Sequence, residues 1–287
     1  MTSADGASGR RIWLCADDYG IAPGVNAAIR DLAARGRLNA ASVMTVAPSF
    51  TREETAALAA LNVERPRVAI GLHVTLTAPY RPLSSGFRPL HGGAFPTMPA
   101  LLRAALLGRL DAGALKRELA AQLAAFTAAF GRAPDFVDGH QHVHLFPRVR
   151  DAVLAAAREF APSAWVRQCG QVGGSARLRD PKGLLIDYLS RSMRRRAEAQ
   201  GVATNPAFAG TYTYRPNVDF ARLFPRFLAG LPEGSVVMCH PGFVDPQLRS
   251  LDPLTDLRER EHAYFASDTF TQDLAQARVR LAEVARR

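Results

Sequence analysis

Residues 12–20 read Ile-Trp-Leu-Cys-Ala-Asp-Asp-Tyr-Gly, an apolar run that ends in two adjacent carboxylates. The apolar part, Ile12–Ala16, is typical of a buried strand, and Asp17 and Asp18 follow where that strand would leave the core. Parallel α/β folds place their active sites at the carboxyl ends of strands. Two like charges this close repel each other unless a cation or a shared proton offsets the repulsion. The stretch therefore indicates either a functional site or, since Asp and Gly are common turn residues, a solvated turn.

Apolar, strand-like runs continue along the chain and alternate with helical patterns, which predicts parallel strands joined by right-handed crossovers. About seven such units and no GxGxxG motif favour a (β/α) barrel over a dinucleotide-binding sheet. After the first strand, the pattern predicts strands at Ala41–Ala47, Val68–Leu76, Phe136–Val143, Ala164–Gln168 and Ser235–Cys239.

The intervening segments show helical patterns with recognisable ends. Thr51 and Glu54 have the spacing of a capping box, and Gly131 follows a long apolar pattern at the position of a helix stop. Residues 79–99 are rich in Pro and Gly and predict a long loop over the site, whereas residues 170–217 resist assignment. The predicted helices are Pro23–Arg35, one beginning near Thr51, Met98–Leu107, Ala112–Phe130, Arg148–Phe160, Lys182–Gln200, Asp219–Leu231 and Asp256–Arg286.

Composition describes an ordinary globular protein of 287 residues, 48% of them apolar and 22% charged. No stretch approaches the roughly 20 apolar residues of a membrane span, and the polar N-terminus lacks the apolar core of a signal peptide. We therefore expect a cytoplasmic protein with one domain over residues 1–287, of which residues 1–10 form a disordered tail. The three cysteines form no CxxC pair, which favours buried free thiols. Composition leaves the oligomeric state open and is compatible with a homo-oligomer.

The net charge of +10 raises the question of an acidic partner such as nucleic acid. The basic residues are almost all arginines scattered along the chain, and the one dense cluster is Arg191–Arg196 on a predicted helix. A solvated helix face is the preferred interpretation of this cluster over a phosphate-binding surface. No zinc finger, aromatic RNA-binding motif or helix-turn-helix pattern accompanies it, so nucleic acid is not an expected partner.

Histidines gather in three short motifs, each in or just after a predicted strand. His73 lies in the third strand, His140, His142 and His144 alternate in DGHQHVH, and His240 follows the strand that ends at Cys239. Period-two spacing would put the three alternating histidines on one face if the segment stays extended. Together with Asp17-Asp18, these motifs place ionisable groups at four strand ends, which would converge on one face of a barrel.

One carboxylate and two imidazoles with open coordination positions suit a divalent metal that activates water. A remaining Asp can then serve as a general base and a remaining His as a general acid. The sequence lacks the GxSxG elbow of serine hydrolases and the phosphate cradle of a P-loop. A glycosidase is disfavoured because adjacent carboxylates cannot easily flank a glycosidic bond. These residues therefore predict metal-dependent hydrolysis.

At these positions the sequence resembles the YdjC/ChbG-like carbohydrate deacetylase family, which includes hopanoid-associated members. The resemblance is carried in order by residues 16–20 (ADDYG), 71–73 (GLH), 138–147 (DGHQHVHLFP) and 238–243 (MCHPGF), with Tyr19 where the family usually has Phe. It implies a distorted TIM-like (β/α) barrel that removes acetyl groups from N-acetylated sugars, such as chitooligosaccharides, with one divalent metal ion, Mg²⁺ or Zn²⁺.

The resemblance also implies a division of roles. Asp18, His73 and His140 look like the metal ligands, Asp17 the base and His240 the acid. His142, His144 and Tyr19 then become residues that orient a ligand or face the substrate. The main alternative is a metal-dependent hydrolase of another amide or ester, such as an N-acetylglucosaminyl lipid of the hopanoid type; a basic nucleic-acid-binding protein is a more distant one.

Overall fold

The computed structural model describes residues 9–172, 181–213, 218–253 and 255–285. Its centre is one sheet whose paired strands all run parallel. Within the described residues the sheet has eight strands in the order β5-β4-β3-β2-β1-β7-β6, with β8 beside the start of β1. The strands are β1 Arg10–Tyr19, β2 Ala40–Val43, β3 Ala69–Val74, β4 Phe136–Gly139, β5 Trp165–Val166, β6 Phe208–Ala209, β7 Ser235–Cys239 and β8 Val279–Leu281.

The two ends of this strand order approach each other and give a distorted, barrel-like fold. Val166 of β5 forms an isolated parallel bridge with Thr204, and its N–H donates to the Ala203 carbonyl over 2.9 Å. On the β6 side, the Phe208 N–H donates to the Gly170 carbonyl over 3.1 Å. The carboxyl ends of the strands therefore surround one space, as the sequence pattern predicts.

Ten α-helices within the described residues cover the sheet, and several begin and end where local chemistry requires. The Thr51 side chain accepts the Glu54 N–H, which confirms the cap predicted for α2. Asp111 caps α4 in the same way, and Gly131 ends it in a left-handed conformation with φ 67°. The helices are α1 Pro23–Ala34, α2 Arg52–Ala60, α3 Met98–Leu106, α4 Ala112–Phe130, α5 Val149–Phe160, α6 Pro181–Ala199, α7 Phe220–Leu228, α8 Pro246–Leu251, α9 Asp256–Ala266 and α10 Asp268–Gln276.

The strands are buried on both faces, which explains their continuous apolar runs. Every residue of β2, β3 and β7 is buried. Gly71 in β3 leaves room for a neighbouring strand's side chain, because a Cβ there would lie 2.3 Å from the Phe136 ring. Substituents at this position would push β3 away from β4, and these two strands carry candidate site residues at their ends.

Two expectations about segment ends are wrong. The predicted helix Asp256–Arg286 is divided into α9, α10 and β8, because Ser267 is extended (φ −83°, ψ 164°) and interrupts the helix. Residues 9 and 10 do not belong to a loose tail, since Arg10 begins β1 and its N–H bonds to the Arg278 carbonyl. The rest of the expected tail, residues 1–8, lies outside the described residues, as do residues 173–180 and 214–217 of the segment that resisted assignment.

The arginine cluster Arg191–Arg196 lies on α6. Its arginines are exposed, Met193 between them is buried, and Arg196 pairs with Asp151 over 3.2 Å. This arrangement fits the preferred interpretation of a solvated helix face. In the described part of the chain, no helix is both long and apolar enough to span a membrane.

Candidate metal centre and active site

A bulge at the end of β1 directs two neighbouring carboxylates into the barrel. The register between β1 and β2 shifts between Ala16 and Tyr19, and Asp18 has a left-handed φ of 69°. In a regular strand, Asp17 and Asp18 would point to opposite faces. A bulge re-aims side chains, and left-handed backbone is least unfavourable for Asn and Asp among residues other than Gly. Both carboxylates are consequently buried at the same end of the barrel, with 2% and 1% exposure.

Asp18, His73 and His140 meet at the carboxyl ends of β1, β3 and β4. The Asp18 Oδ1 lies 2.9 Å from the His140 Nδ1 and 3.4 Å from the His73 Nε2. One candidate ligand atom from each residue lies within 4.8 Å of the other two. One carboxylate oxygen and two imidazole nitrogens are a donor set that binds divalent cations. The three side chains therefore fit a metal ion.

His73 is held by partners on the side of its ring away from Asp18. Its Nδ1 lies 2.6 Å from the Asp138 Oδ1 and 3.0 Å from the Ser42 Oγ, and Ser42 also donates to Asp138. A carboxylate behind a ligating imidazole fixes the ring and its tautomer in metal sites. Burial lowers the pKa of His73, but the charges of Asp138 and Asp17 outweigh it and raise the pKa to about 10. The surroundings of His73 thus favour a positive charge at this position.

The Arg167 guanidinium binds both oxygens of the Asp17 carboxylate. Its Nη1 and Nη2 each donate to a different oxygen of Asp17 over 2.7 Å, and Nη2 lies 2.5 Å from the Asp138 Oδ2. Cys15, Asp17 and Asp138 could by distance alone hold a second metal ion. However, Arg167 Nη2 contacts all three, with 2.9 Å to the Cys15 Sγ. The guanidinium already supplies positive charge among these atoms.

A second buried arginine, Arg258 of α9, holds Asp18. Its Nη2 donates to the Asp18 Oδ2 over 2.6 Å and to the Asp252 Oδ2 over 2.5 Å. Burial would raise the pKa of Asp18, but Arg258 and His140 together hold it well below its usual range. Asp18 is therefore ionised, with Oδ2 occupied by Arg258 and Oδ1 turned toward the two histidines.

His240 follows β7 and lies beside the end of β1. The two strands pair Ala16 with Cys239, so Asp17 and His240 are the next residues on adjoining strands. The His240 N–H donates to the Glu261 Oε2 over 2.6 Å, and the Tyr212 hydroxyl donates to the Glu261 Oε1 over 2.5 Å. Burial raises the pKa of Glu261. His240 itself is only half-buried, so a bound molecule can reach it.

His140, His142 and His144 would share one face only in an extended segment, and the segment is not extended. Strand β4 ends at Gly139, and residues 140–145 form a tight 3₁₀ turn in which Gln141 and His142 are left-handed. This turn sends the three rings in different directions. His140 faces Asp18, His142 lies 3.6 Å from the Cys169 Sγ, and the His144 Nε2 lies 2.9 Å from the Arg167 carbonyl.

His144 is the most deeply enclosed of the three alternating histidines. It is fully buried, and burial together with the charge of Arg167 lowers its pKa to about 3, so its ring is neutral. Its bond to the Arg167 carbonyl ties the turn after β4 to the end of β5. His144 thus supports the segment that carries Arg167 and has no contact with His73 or Asp18 among those the structure shows.

Tyr19 does not reach the site. Its hydroxyl donates to the Glu54 carbonyl over 2.5 Å and accepts from the Arg30 Nη1 over 2.9 Å, between α1 and α2. The aromatic ring near the candidate ligands is that of Tyr80, edge-on to His140 with 6.0 Å between ring centroids. Tyr80 belongs to the Pro- and Gly-rich segment that the sequence places over the site.

Sequence reasoning missed the residues that surround the candidate ligands. Arg167 was detectable, because a charged residue inside a strand-like run is unusual unless it is paired. Asp138 is the first residue of the DGHQHVH motif, but the sequence pattern did not indicate a function for it. Arg258 and Glu261 lie in a strongly polar helix pattern with no signal that these side chains are buried. Ser42 lies in a predicted strand without any distinguishing feature.

The comparisons with known proteins agree on a family and a fold. A family model described as YdjC-like protein matches residues 11–276. A human protein named carbohydrate deacetylase is 29% identical over 251 residues, which cover 81% of this chain and 75% of that protein. A Yersinia pestis protein named chitooligosaccharide deacetylase is 32% identical over 144 residues, about half of each chain. The crystal structure of an Enterococcus faecalis V583 protein, provisionally named for cellobiose-phosphate cleavage, superposes with a TM-score of 0.75 at 21% identity, covering 96% of this chain and 98% of that one.

Proposed function

The chain belongs to the YdjC-like protein family, and on that premise we propose that it is a metal-dependent hydrolase that removes acetyl groups from N-acetylated sugars. The observation that carries the proposal is the meeting of Asp18, His73 and His140, with Asp17 beside them on the same strand. The two relatives named for carbohydrate and chitooligosaccharide deacetylation support a sugar acetamide as the substrate.

In this proposal Asp18, His73 and His140 hold one divalent cation. When bound, such a cation acts as a Lewis acid that lowers the pKa of water and stabilises negative charge on a carbonyl oxygen. Two imidazoles favour Zn²⁺, while open positions for water also permit Mg²⁺. Asp138 and Ser42 fix the ring of His73, and Arg258 fixes the carboxylate of Asp18, so two of the three donors are held in place by the protein itself.

Asp17 is the proposed general base. Arg167 holds both of its oxygens, yet each carboxylate oxygen has a second lone pair that can accept a proton. Asp17 takes a proton from the attacking water while that water adds to the acetamide carbon. Because Asp17 and Asp18 are adjacent, the base and the proposed cation act on the same small volume.

His240 is the proposed general acid. An amide nitrogen leaves poorly as an anion, so a proton must reach it before the carbon–nitrogen bond breaks. The half-buried His240 directly follows β7, the strand beside β1 and Asp17, and its ring is accessible to a bound sugar. The Glu261 carboxylate accepts the backbone N–H of His240 and so fixes the backbone position from which the imidazole side chain extends.

The test compares two neighbouring carboxamides, Asp17→Asn and Asp18→Asn. Asp17→Asn should lower the rate of acetate release from N-acetylated oligosaccharides by about 100- to 10,000-fold, the contribution of a general base. It should bind Zn²⁺ with calorimetric affinity close to that of the unaltered protein. Asp18→Asn should lose both activity and cation binding.

Either of two results would contradict these assignments. Near-normal deacetylation by Asp17→Asn would exclude it as the base. Full activity after prolonged chelation, with cation content measured by elemental analysis, would exclude metal dependence. If ester or other amide substrates are hydrolysed and acetylated sugars are not, the site is a metal-dependent hydrolase of a different substrate class.

A further inference from the structure

The C-terminal end of α3 and the residue that follows it present two leucines and an arginine to solvent. Arg103, Leu106 and Leu107 lie three and four residues apart, so they occupy neighbouring positions on one side of the helix. Leu106 is 57% exposed and Leu107 is 53% exposed, although most large apolar side chains of the chain are buried. With Arg88 and Arg109, these residues form what we call the α3 surface.

A cavity of about 860 Å³ lies against this surface. Its lining includes Arg88, Arg103, Leu107 and Arg109, and the remainder consists mainly of Pro and Ala side chains from α3 and the preceding segment. The cavity thus combines an apolar floor with three guanidinium groups. It is lined by none of the candidate site residues Asp17, Asp18, His73, His140 and His240.

The arginines of the α3 surface lack acidic partners. Within the described residues, neither Arg103 nor Arg109 forms an ion pair, and Arg88 donates to the adjacent Phe87 carbonyl. The one acidic residue of the cavity lining, Asp111, accepts the Ala114 N–H as the cap of α4. The three arginines outnumber this one carboxylate, so the surface carries net positive charge beside exposed leucines.

Leucines flanked by cationic side chains match the two layers of an anionic membrane surface. The apolar side chains enter the headgroup boundary while the cations meet the lipid phosphates. A nucleic acid would use the arginines but would gain nothing from Leu106 and Leu107. We propose that the α3 surface docks the protein on an anionic lipid membrane.

The same segment connects this surface to the candidate active site. Tyr80 lies against His140, its carbonyl accepts the Phe95 N–H, and Thr97 then leads into α3. A membrane bound at the α3 surface would therefore lie against the end of the segment between β3 and α3, which carries Tyr80. The docking itself does not depend on the proposed deacetylation and can be tested without a substrate.

Co-sedimentation with lipid vesicles tests the proposal. The full chain should bind phosphatidylcholine vesicles that contain phosphatidylglycerol and should bind pure phosphatidylcholine far more weakly. Arg103→Gln with Arg109→Gln should weaken binding about 30-fold, since each basic side chain at an anionic surface contributes roughly fivefold. Leu106→Gln with Leu107→Gln should weaken it about tenfold through the loss of apolar insertion.

Matched variants separate this surface from the general positive charge of the chain. Arg194→Gln with Arg195→Gln removes the same charge from the exposed side of α6, and Val63→Gln alters a side chain that is 81% exposed elsewhere. Both controls should retain nearly full vesicle binding. All of these substitutions are at exposed positions, and circular dichroism checks that each variant is folded.

Several outcomes would overturn the proposal. The first two are equal binding to both vesicle types and no binding to either. The others are that the α6 control variant weakens vesicle binding as much as the α3 arginine variant does, or that the Leu106 and Leu107 substitutions leave vesicle binding unchanged. If the arginine variants weaken binding to a DNA duplex but not to vesicles, the partner is a nucleic acid. If the leucine variants instead convert a dimer into a monomer in analytical ultracentrifugation, the surface is a contact between two copies of the chain.

Discussion

Asp17 and Asp18 are neighbours in sequence, but their charges are balanced by arginines from different parts of the fold. Asp17 is held by Arg167 at the end of β5, and Asp18 by Arg258 on α9. Both arginines are fully buried. The difference lies in what else each arginine contacts, because Arg167 also pairs with the fully buried Asp138, whereas the Asp252 side chain beside Arg258 is 16% exposed.

The two adjacent buried carboxylates are thus stabilised by two different groups of side chains. We call Arg167 with its partners Asp17 and Asp138 the Arg167 half, and Arg258 with its partners Asp18 and Asp252 the Arg258 half. The Arg167 half is closed, since Asp138 extends it to His73 and Ser42 without reaching solvent. The Arg258 half includes Asp252, a carboxylate that water can reach. We therefore expect the first half to contribute more to stability, because an unpaired charge there has no access to solvent.

The largest effect is expected for Arg167→Met, which leaves Asp17 and Asp138 buried without their counter-charge. The free energy of unfolding should fall by about 3–5 kcal/mol in urea titrations. Lys116→Met is the control, because its pair with Glu159 is exposed, and it should change stability by less than about 1 kcal/mol. A similar small loss for Arg167→Met would show that the closed half is not held by this ion pair.

A smaller loss, about 2–3 kcal/mol, is expected for Arg258→Met in the same titrations. Asp252 can then turn to solvent, and His140 still faces Asp18. If Arg258→Met destabilises the protein as much as Arg167→Met, the proposed difference between a closed and a solvated half is wrong.

The outer carboxylates of the two halves should differ in their effect on cation binding. Asp138→Asn removes the charge behind His73 and should weaken Zn²⁺ binding by about 10- to 100-fold in calorimetry. Asp252→Asn removes a carboxylate that contacts Arg258 and does not contact His73, so it should change the affinity less. Equal effects would indicate that orientation of Asp18 matters as much as orientation of His73.

The smallest effect concerns pH, measured on the metal-free protein. Because the pKa of Asp18 is held low in the folded state, ionised Asp18 contributes stability above the unfolded-state pKa of about 4, and this contribution is lost as pH falls through the lower native value. A double-mutant cycle of Arg258→Met and Asp18→Asn should therefore show a coupling energy that is full at pH 7 and declines in acid. A coupling energy that rises toward low pH would contradict the ionised state of Asp18.

Local sequence patterns predicted most of the elements because the relevant interactions are short-range. The bounds of β7, Ser235–Cys239, and of α4, Ala112–Phe130, are those predicted, and the Thr51 cap is present. The prediction of one continuous C-terminal helix is wrong, because the apolar pattern does not reveal the break at Ser267 or the pairing of β8 with β1. That pairing joins residues about as far apart as the chain allows.

The sequence predicted some residues of the candidate site but not how their side chains are oriented. Asp18, His73 and His140 stand at ends of predicted strands, and parallel strands bring such ends together. The geometry after β4 was not predictable, because alternate spacing implies a shared face only in extended backbone, and Gln141 and His142 are left-handed. Arg258 was missed because nothing near it in sequence indicates a carboxylate 240 residues away.

The sequence by itself determined the strand–helix alternation, the motifs at the strand ends and the resemblance to a deacetylase family, since each depends on residue type and short spacing. Only the tertiary structure decided how Asp17 and Asp18 can both be buried. A bulge turns them to one side of the sheet, and two arginines distant in sequence balance their charges. Desolvating a carboxylate is unfavourable wherever its counter-charge is absent, so the identity of the counter-charge depends on which segments the fold brings together.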